Sequence, residues 1–242
     1  MIMKIHLVIA MFCVCVLGSA RATDSQNLEK TWTQARVYAP GNWLPRSAGS
    51  FRTQQQYPVI IYFHGCGGIS NHNDAAWAEF LSSQGYLVVM PDSFAQSGRT
   101  PGCNASTRQR ESYATAQVRL KEVDLALERI RNTGWSTGQV FLMGHSQGAW
   151  AISAVQSPEI SGVILSSMKC QQVQINPTVS ILRIGYVNDP WMPVSIPECG
   201  DHVEHPSYTR LFVAGREHET AYSRELKTAV RDWLKMRTRQ SQ

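Results

Sequence analysis

The run Gln139-Val140-Phe141-Leu142-Met143 is apolar after its first residue. It ends in Gly144-His145-Ser146-Gln147-Gly148 and passes at once into the apolar segment Ala149-Trp150-Ala151-Ile152. Few patterns restrict a chain so strongly. A continuous apolar run predicts a strand covered on both faces, as in a parallel sheet; the segment after the turn predicts a helix. G-x-S-x-G between them reads as a nucleophile elbow. The strand delivers Ser146 to a sharp turn that lifts its hydroxyl into a cleft. The flanking positions take glycine because a Cβ there would crowd the neighbouring strand or helix. A helix beginning near Gly148 is expected to favour negative charge beside the serine.

The same alternation runs along the chain. Pro58-Val59-Ile60-Ile61-Tyr62-Phe63, Leu87 to Met90, Gly162 to Leu165, Val179 to Ile184 and Tyr208 to Val213 read as strands. Between them lie helical segments: Ala75 to Leu81, and Glu111 to Ile130 with Tyr113, Ala116, Leu120, Val123, Leu127 and Ile130 on one face. A last helix is expected over about Ala221 to Lys235, with Leu226, Val230, Trp233 and Leu234 inward. Strands alternating with helices predict an α/β fold, a mostly parallel sheet with helices on both faces. A chain of 242 residues suits one such domain. Asn42 to Gln56 is polar with Gly and Pro and reads as a long loop.

A serine nucleophile needs a base, an orienting acid and oxyanion donors. Asp189 sits in the loop after the Val179–Ile184 strand. His218 follows the Tyr208–Val213 strand and precedes the last helix. The order Ser146, Asp189, His218 is that of an acid and a base reached from successive strand ends. His64-Gly65-Cys66-Gly67-Gly68 follows the Pro58–Phe63 strand and resembles the H-G-G-G oxyanion loop of esterases. The expected donors are the amides of Cys66 and Gln147; one such donor supplies roughly 3 kcal/mol of transition-state stabilisation. His64 is expected to make a structural hydrogen bond, and His145 to point away from the nucleophile. His72, His202, His205 and Asp201 fall in loops, and Asp92 at a strand end suits a local hydrogen bond. Tyr62, Trp150, Trp191 and Met192 are candidate pocket walls or core residues.

Residues 1–22 read as a secretory leader. Lys4 supplies its charge, Ile5 to Leu17 its apolar region, and Ala20-Arg21-Ala22 a cleavage site. The remaining domain is then residues 23–242, exported to a periplasm or beyond, with no later segment apolar enough to hold it in a membrane. The formal charge of +5 includes Lys4 and Arg21, and no Lys/Arg block is present, so nucleic acid is not an expected partner. No His or Cys spacing matches a zinc signature, and no metal or cofactor is expected. Of six cysteines, Cys13 and Cys15 leave with the leader. Cys66, Cys103, Cys170 and Cys199 remain, an even number in an exported chain, which predicts two disulfides.

With these residues in place, the chain resembles the dienelactone hydrolase family of α/β-hydrolases. The resemblance rests on His64–Gly68, Gly85-Tyr86-Leu87-Val88-Val89-Met90-Pro91-Asp92, Gly144–Gly148, the Asp189 loop and His218. Dienelactone hydrolase itself uses a cysteine nucleophile; this chain carries Ser146, so the resemblance is closer to serine-bearing members. It implies a single-domain fold without a large cap and hydrolysis of a small-molecule carboxylic ester, lactone or thioester through an acyl-enzyme. In the α/β-hydrolase strand order, the strands before Cys66 and Cys103 are neighbours, as are those before Cys170 and Cys199. The resemblance therefore implies the pairs Cys66–Cys103 and Cys170–Cys199. A catalytically silent ligand-binding protein of the same fold is the alternative. Oligomeric state is not legible in the sequence.

Overall fold

Val59, Ile61 and Phe63 point to one side of a central strand, and Ile60 and Tyr62 to the other; all five are completely buried. That double burial makes the strand a continuous apolar run. A computed structural model describes residues 24–99, 103–104, 109–110, 113–168, 173–191 and 207–240. The expected leader, the Cys170–Cys199 pair, Met192, Asp201, His202 and His205 lie outside the described residues.

The elements follow in the order α1 (24–33), β1 (Arg36–Tyr38), β2 (Arg46–Ser47), β3 (Tyr57–Phe63), α2 (Ala76–Ser83), β4 (Leu87–Met90), β5 (Cys103–Asn104), β6 (Gln109–Arg110), α3 (Tyr113–Thr133), β7 (Ser136–His145), α4 (Gln147–Ile152), β8 (Gly162–Ser166), β9 (Ile181–Tyr186), β10 (Tyr208–Val213) and α5 (Arg224–Gln240). Eight strands form one sheet, ordered β10-β9-β8-β7-β3-β4-β1-β2. From β10 to β4 every pairing is parallel, with Val59 opposite Val140 and Leu87, and Ile164 opposite Leu182. β1 and β2 close the β4 edge antiparallel. The remaining two strands, β5 and β6, pair with each other.

Two apolar layers cover the sheet. One joins Trp32 of α1, Val123, Ala126 and Ile130 of α3, and α4 to Val59, Leu142 and Leu165. The other joins Trp77 and Leu81 of α2 and Leu226, Val230 and Trp233 of α5 to Ile60, Phe141 and Ile184. This is the expected α/β architecture, a single domain with no large cap among the described residues.

Several details differ from the sequence expectation. The polar stretch Asn42–Gln56 contains β2, whose two residues are exposed; as a short edge strand it needs no apolar pattern. A π-helical turn (Asn71–Ala75), capped by the Ser70 hydroxyl, precedes α2. The last helix starts at Arg224, after a 3₁₀ turn at Thr220–Tyr222. On α3 the buried stripe is rotated: Arg119 and Glu122 lie fully inside with Val123, Ala126 and Ile130, while Leu120 and Leu127 are half-buried. α4 has only six residues, so it offers local amide groups at the elbow and little macrodipole.

Candidate active site

Ser146 joins β7 to α4 with φ +53° and ψ −113°. Such a backbone costs on the order of 1–3 kcal/mol and persists only where its surroundings hold it. Here they do. Ser146 N–H donates to Ser166 O (2.9 Å), and Ser146 O accepts from Trp150 N–H (3.1 Å). A Cβ on Gly148 would overlap the Phe63 carbonyl, and one on Gly144 would overlap the Gly148–Ala149 peptide. The turn is tight because β3, β7 and α4 meet backbone to backbone. Ser146 is partly exposed and its Oγ makes no hydrogen bond among the described residues.

Asp189 and His218 arrive from the loops after β9 and β10. His218 Nδ1 donates to Asp189 Oδ2 at 2.7 Å, and Asp189 Oδ1 accepts from Trp191 N–H at 2.9 Å. Asp189 is buried, and the imidazole side chain is only 10% exposed. Ser167, in the left-handed region at φ +46°, donates its hydroxyl to His218 O (2.7 Å). The Trp191 ring lies over His218, 5.6 Å between centroids.

His145 does not point away from the nucleophile's machinery as expected. Its ring packs against His218 with centroids 4.7 Å apart, and its Nδ1 meets Ser166 Oγ at 3.4 Å. Burial, and the neighbouring His218, hold its pKa well below the ordinary 6.5. Ser166 Oγ in turn meets Thr220 Oγ1 (2.7 Å), which accepts from Trp77 Nε1–H (2.9 Å). Position in the elbow had suggested a ring turned away from the nucleophile's side; the loop after β10 brings His218 against it.

The His64–Gly68 loop lies against the elbow: a Cβ built on Gly65 would stand 3.6 Å from Ser146 Cβ. Cys66 is joined to Cys103, with Cα atoms 5.5 Å apart. His64 is buried and makes the structural contacts expected of it, and more. Its Nδ1 donates to Gly65 O (2.7 Å) while its Nε2 accepts from Ser93 N–H (3.1 Å). Arg119 Nη1 also meets that Nε2 (3.2 Å), and Arg119 Nη2 donates to His64 O (2.8 Å). Arg119 pairs with Glu122 (3.1 Å), whose carboxylate accepts from the Ser93 hydroxyl and from Gln96 Nε2.

Among the other candidates, Asp92 caps a short turn through Phe94 N–H (2.9 Å), a local role. Tyr62 is fully buried on the α2 side and bonded to Asn73; Trp150 packs on the α3-side core. His72 is exposed. No group of three or more metal-ligating side chains occurs among the described residues. None of the described helices is long and apolar enough to cross a membrane. The Arg119–Glu122–Ser93–Gln96 cluster was missed from the sequence. Its signal was there: Arg119 and Glu122 stand three residues apart on the face that continues to Ala126 and Ile130.

The model of the alpha/beta hydrolase family matches residues 60–242. The chain belongs to the alpha/beta hydrolase family. Among solved structures, Est1E from Butyrivibrio proteoclasticus superposes with a TM-score of 0.60 at 13% identity, over 84% of this chain and 93% of that one. A protein of Klebsiella pneumoniae assigned as a dienelactone hydrolase gives 0.56 at 14% identity, over 84% and 90%. Proline iminopeptidase of Mycobacterium smegmatis gives 0.59 at 12%, over 86% and 96%. At these identities the likeness is one of fold. Comparison with curated proteins by sequence gives no match. Family and fold place this alpha/beta hydrolase among the hydrolases; the neighbours' different bonds leave its substrate to be argued from the site.

Proposed function

We propose that the protein is a serine hydrolase of small carboxylic esters. The observation that carries the reading is the charge-assisted bond from His218 Nδ1 to the buried Asp189 carboxylate, 2.7 Å long, beside a serine on a strained elbow. Asp189 fixes the proton on Nδ1, which leaves Nε2 as the basic nitrogen. His218 takes the Ser146 proton as the oxygen attacks the ester carbonyl. The resulting imidazolium is stabilised by Asp189 and then protonates the leaving alcohol. Water, activated by the same histidine, releases the acyl group. The Cys66 and Gln147 amides are the donors for the oxyanion. The Ser146–His218 hydrogen bond is left to form when substrate closes the site, as loose apo geometry allows. Lactones and thioesters use the same groups.

The same proposal places the enzyme outside the cytoplasm. The leader at residues 1–22 and the Cys66–Cys103 bond support export, since disulfides persist in oxidising compartments. The Cys170–Cys199 pair belongs to this proposal as well. A fluorophosphonate probe together with p-nitrophenyl esters of graded chain length tests the reading. Labelling and turnover are expected, and both are lost in Ser146→Ala. A well-folded wild type that neither labels nor turns over any ester is instead the silent binding protein.

A further inference from the structure

The geometry points to Arg119 and Glu122 as positioning residues of the oxyanion hole: acting through His64, they fix the peptide planes that aim the Cys66 amide at the substrate oxygen. This inference rests on the ester-hydrolase reading for the identity of the donor, and on nothing else in it.

In a trans peptide the carbonyl of one residue and the amide of the next point in opposite directions. No cis peptide is present among the described residues. Gly65 O is tied down by His64 Nδ1 (2.7 Å) and by Gly68 N–H (3.3 Å). The Cys66 N–H of the same peptide is therefore turned to the opposite side, away from the His64 ring. One residue earlier, Arg119 Nη2 holds His64 O (2.8 Å), which fixes the Gly65 peptide in the same way. Gly65 stands against Ser146, so these planes are set at the nucleophile's side. The Cys66 amide is not left to find its direction from a flexible glycine loop.

The arrangement works with only one proton placement on His64. Gly65 O can only accept, so Nδ1 must carry the proton. Ser93 N–H and Arg119 Nη1 can only donate, so Nε2 must be bare. A guanidinium facing Nε2 refuses a second proton. Burial and this cation hold the His64 pKa well below 6.5. Glu122 completes the device. It neutralises Arg119 within the protein and, through Ser93 Oγ and Gln96 Nε2, anchors the turn after β4 that presents Ser93 N–H. Charge, tautomer and peptide orientation are thus one problem with one solution.

Two measurements test this. The first replaces both ions with apolar groups of similar size, Arg119→Met with Glu122→Leu, so that no lone charge stays buried. Rates on p-nitrophenyl butyrate are expressed per active site titrated by fluorophosphonate. A positioning role predicts kcat lower by about 10- to 100-fold, within the cost of losing one oxyanion donor. KM should move by no more than about twofold, the mark of an interaction made in the transition state. Affinity for a trifluoromethyl ketone, whose hemiketal oxygen occupies the hole, should fall by the same factor as kcat. A purely structural role would lower the titrated fraction and leave kcat per site alone; kcat within about twofold of wild type overturns the inference. The second measurement needs no variant. Long-range ¹H–¹⁵N correlation on the wild-type protein is expected to find His64 neutral with its proton on Nδ1 at pH 7. An Nε2–H tautomer or an imidazolium overturns the inference, even if the double variant fails to fold. A wild type without esterase activity defeats the ester reading and leaves the tautomer result standing on its own.

Discussion

His64 and His218 make a controlled comparison. Each uses Nδ1–H to hold an oxygen at 2.7 Å and sits at the end of a parallel strand or in the loop after it. Their partners differ in charge. His218 faces a carboxylate, a negatively charged acceptor. His64 faces a guanidinium, which forbids a second proton on the ring. The surroundings differ too. His64 is enclosed by α3, the turn after β4 and the elbow, with every ring atom partnered. His218 stands on a loop, shares Asp189 with Trp191 N–H and keeps a little exposure. One side of the site is held still by its partners; the other is the one to which the proposed mechanism assigns a proton transfer. The same side chain performs both tasks because its neighbours decide whether it can become a cation.

The largest break in this comparison removes the reacting oxygen. Ser146→Ala should lower kcat for p-nitrophenyl esters by about 10⁶-fold, as when a triad nucleophile is lost, with an unchanged melting curve. Next is Asp189→Asn, which leaves the ring in place but removes the negative charge facing it. We expect kcat lower by about 10⁴-fold at neutral pH, since the proton is then free to settle on the wrong nitrogen. If Asp189→Asn retained most activity, the contrast between the two histidines would have no catalytic meaning.

The third prediction concerns stability in acid. His64 and His145 have folded-state pKa values held well below 6.5, so between that value and 6.5 the unfolded chain binds protons that the folded chain refuses. Stability is therefore fully present above about pH 6.5 and is lost as the pH falls below it, by up to about 1.4 kcal/mol per pH unit for each ring. Asp74, raised by burial, pulls the other way nearer the carboxylate range. Urea unfolding at pH 7.5, 6.0 and 5.0 measures this. His64→Asn should flatten the slope by about one proton; an unchanged slope would show that His64 is protonated in the folded state. The smallest expected effect comes from Thr220→Val, which strips Trp77 Nε1–H of its partner and leaves Ser166 Oγ with His145 alone among the described residues. It should cost about 1–3 kcal/mol in thermal unfolding, with kcat reduced less than by any change above.

The sequence carried the sheet well because its strands are buried on both faces and so read as unbroken apolar runs. β4 and β10 were legible to the residue, and β3 and β8 nearly so. β1 and β2 were not, since strands of three and two residues are too short to carry a pattern of their own. The turn at Ser146 and the meeting of Asp189 with His218 were legible from motif and order along the chain. Arg119 and Glu122 were not, because charge on a helix is ordinarily a sign of solvent; only their register with Ala126 and Ile130 betrayed them. His145 was misjudged for a related reason. Its place in the motif is fixed by local sequence, but its neighbour His218 arrives behind a strand three positions away in the sheet.

The sheet order has a consequence for how the molecule comes into being. β3, which carries the oxyanion loop, lies between β4 and β7, and its Val59 pairs with Val140 far along the chain. The base arrives later still, behind β10. Parallel pairings over such separations form slowly, because loop closure comes before any contact repays it. Neither His218 nor the His64–Gly68 loop belongs to the segment of chain that carries Ser146. Until β3 and β10 are in place, the serine therefore lacks both of them, and of the proposed groups only the Gln147 amide is already beside it. If the proposed function holds, catalytic competence comes only with the completed sheet, and recovery of esterase activity during refolding reports the native population itself and none of its precursors.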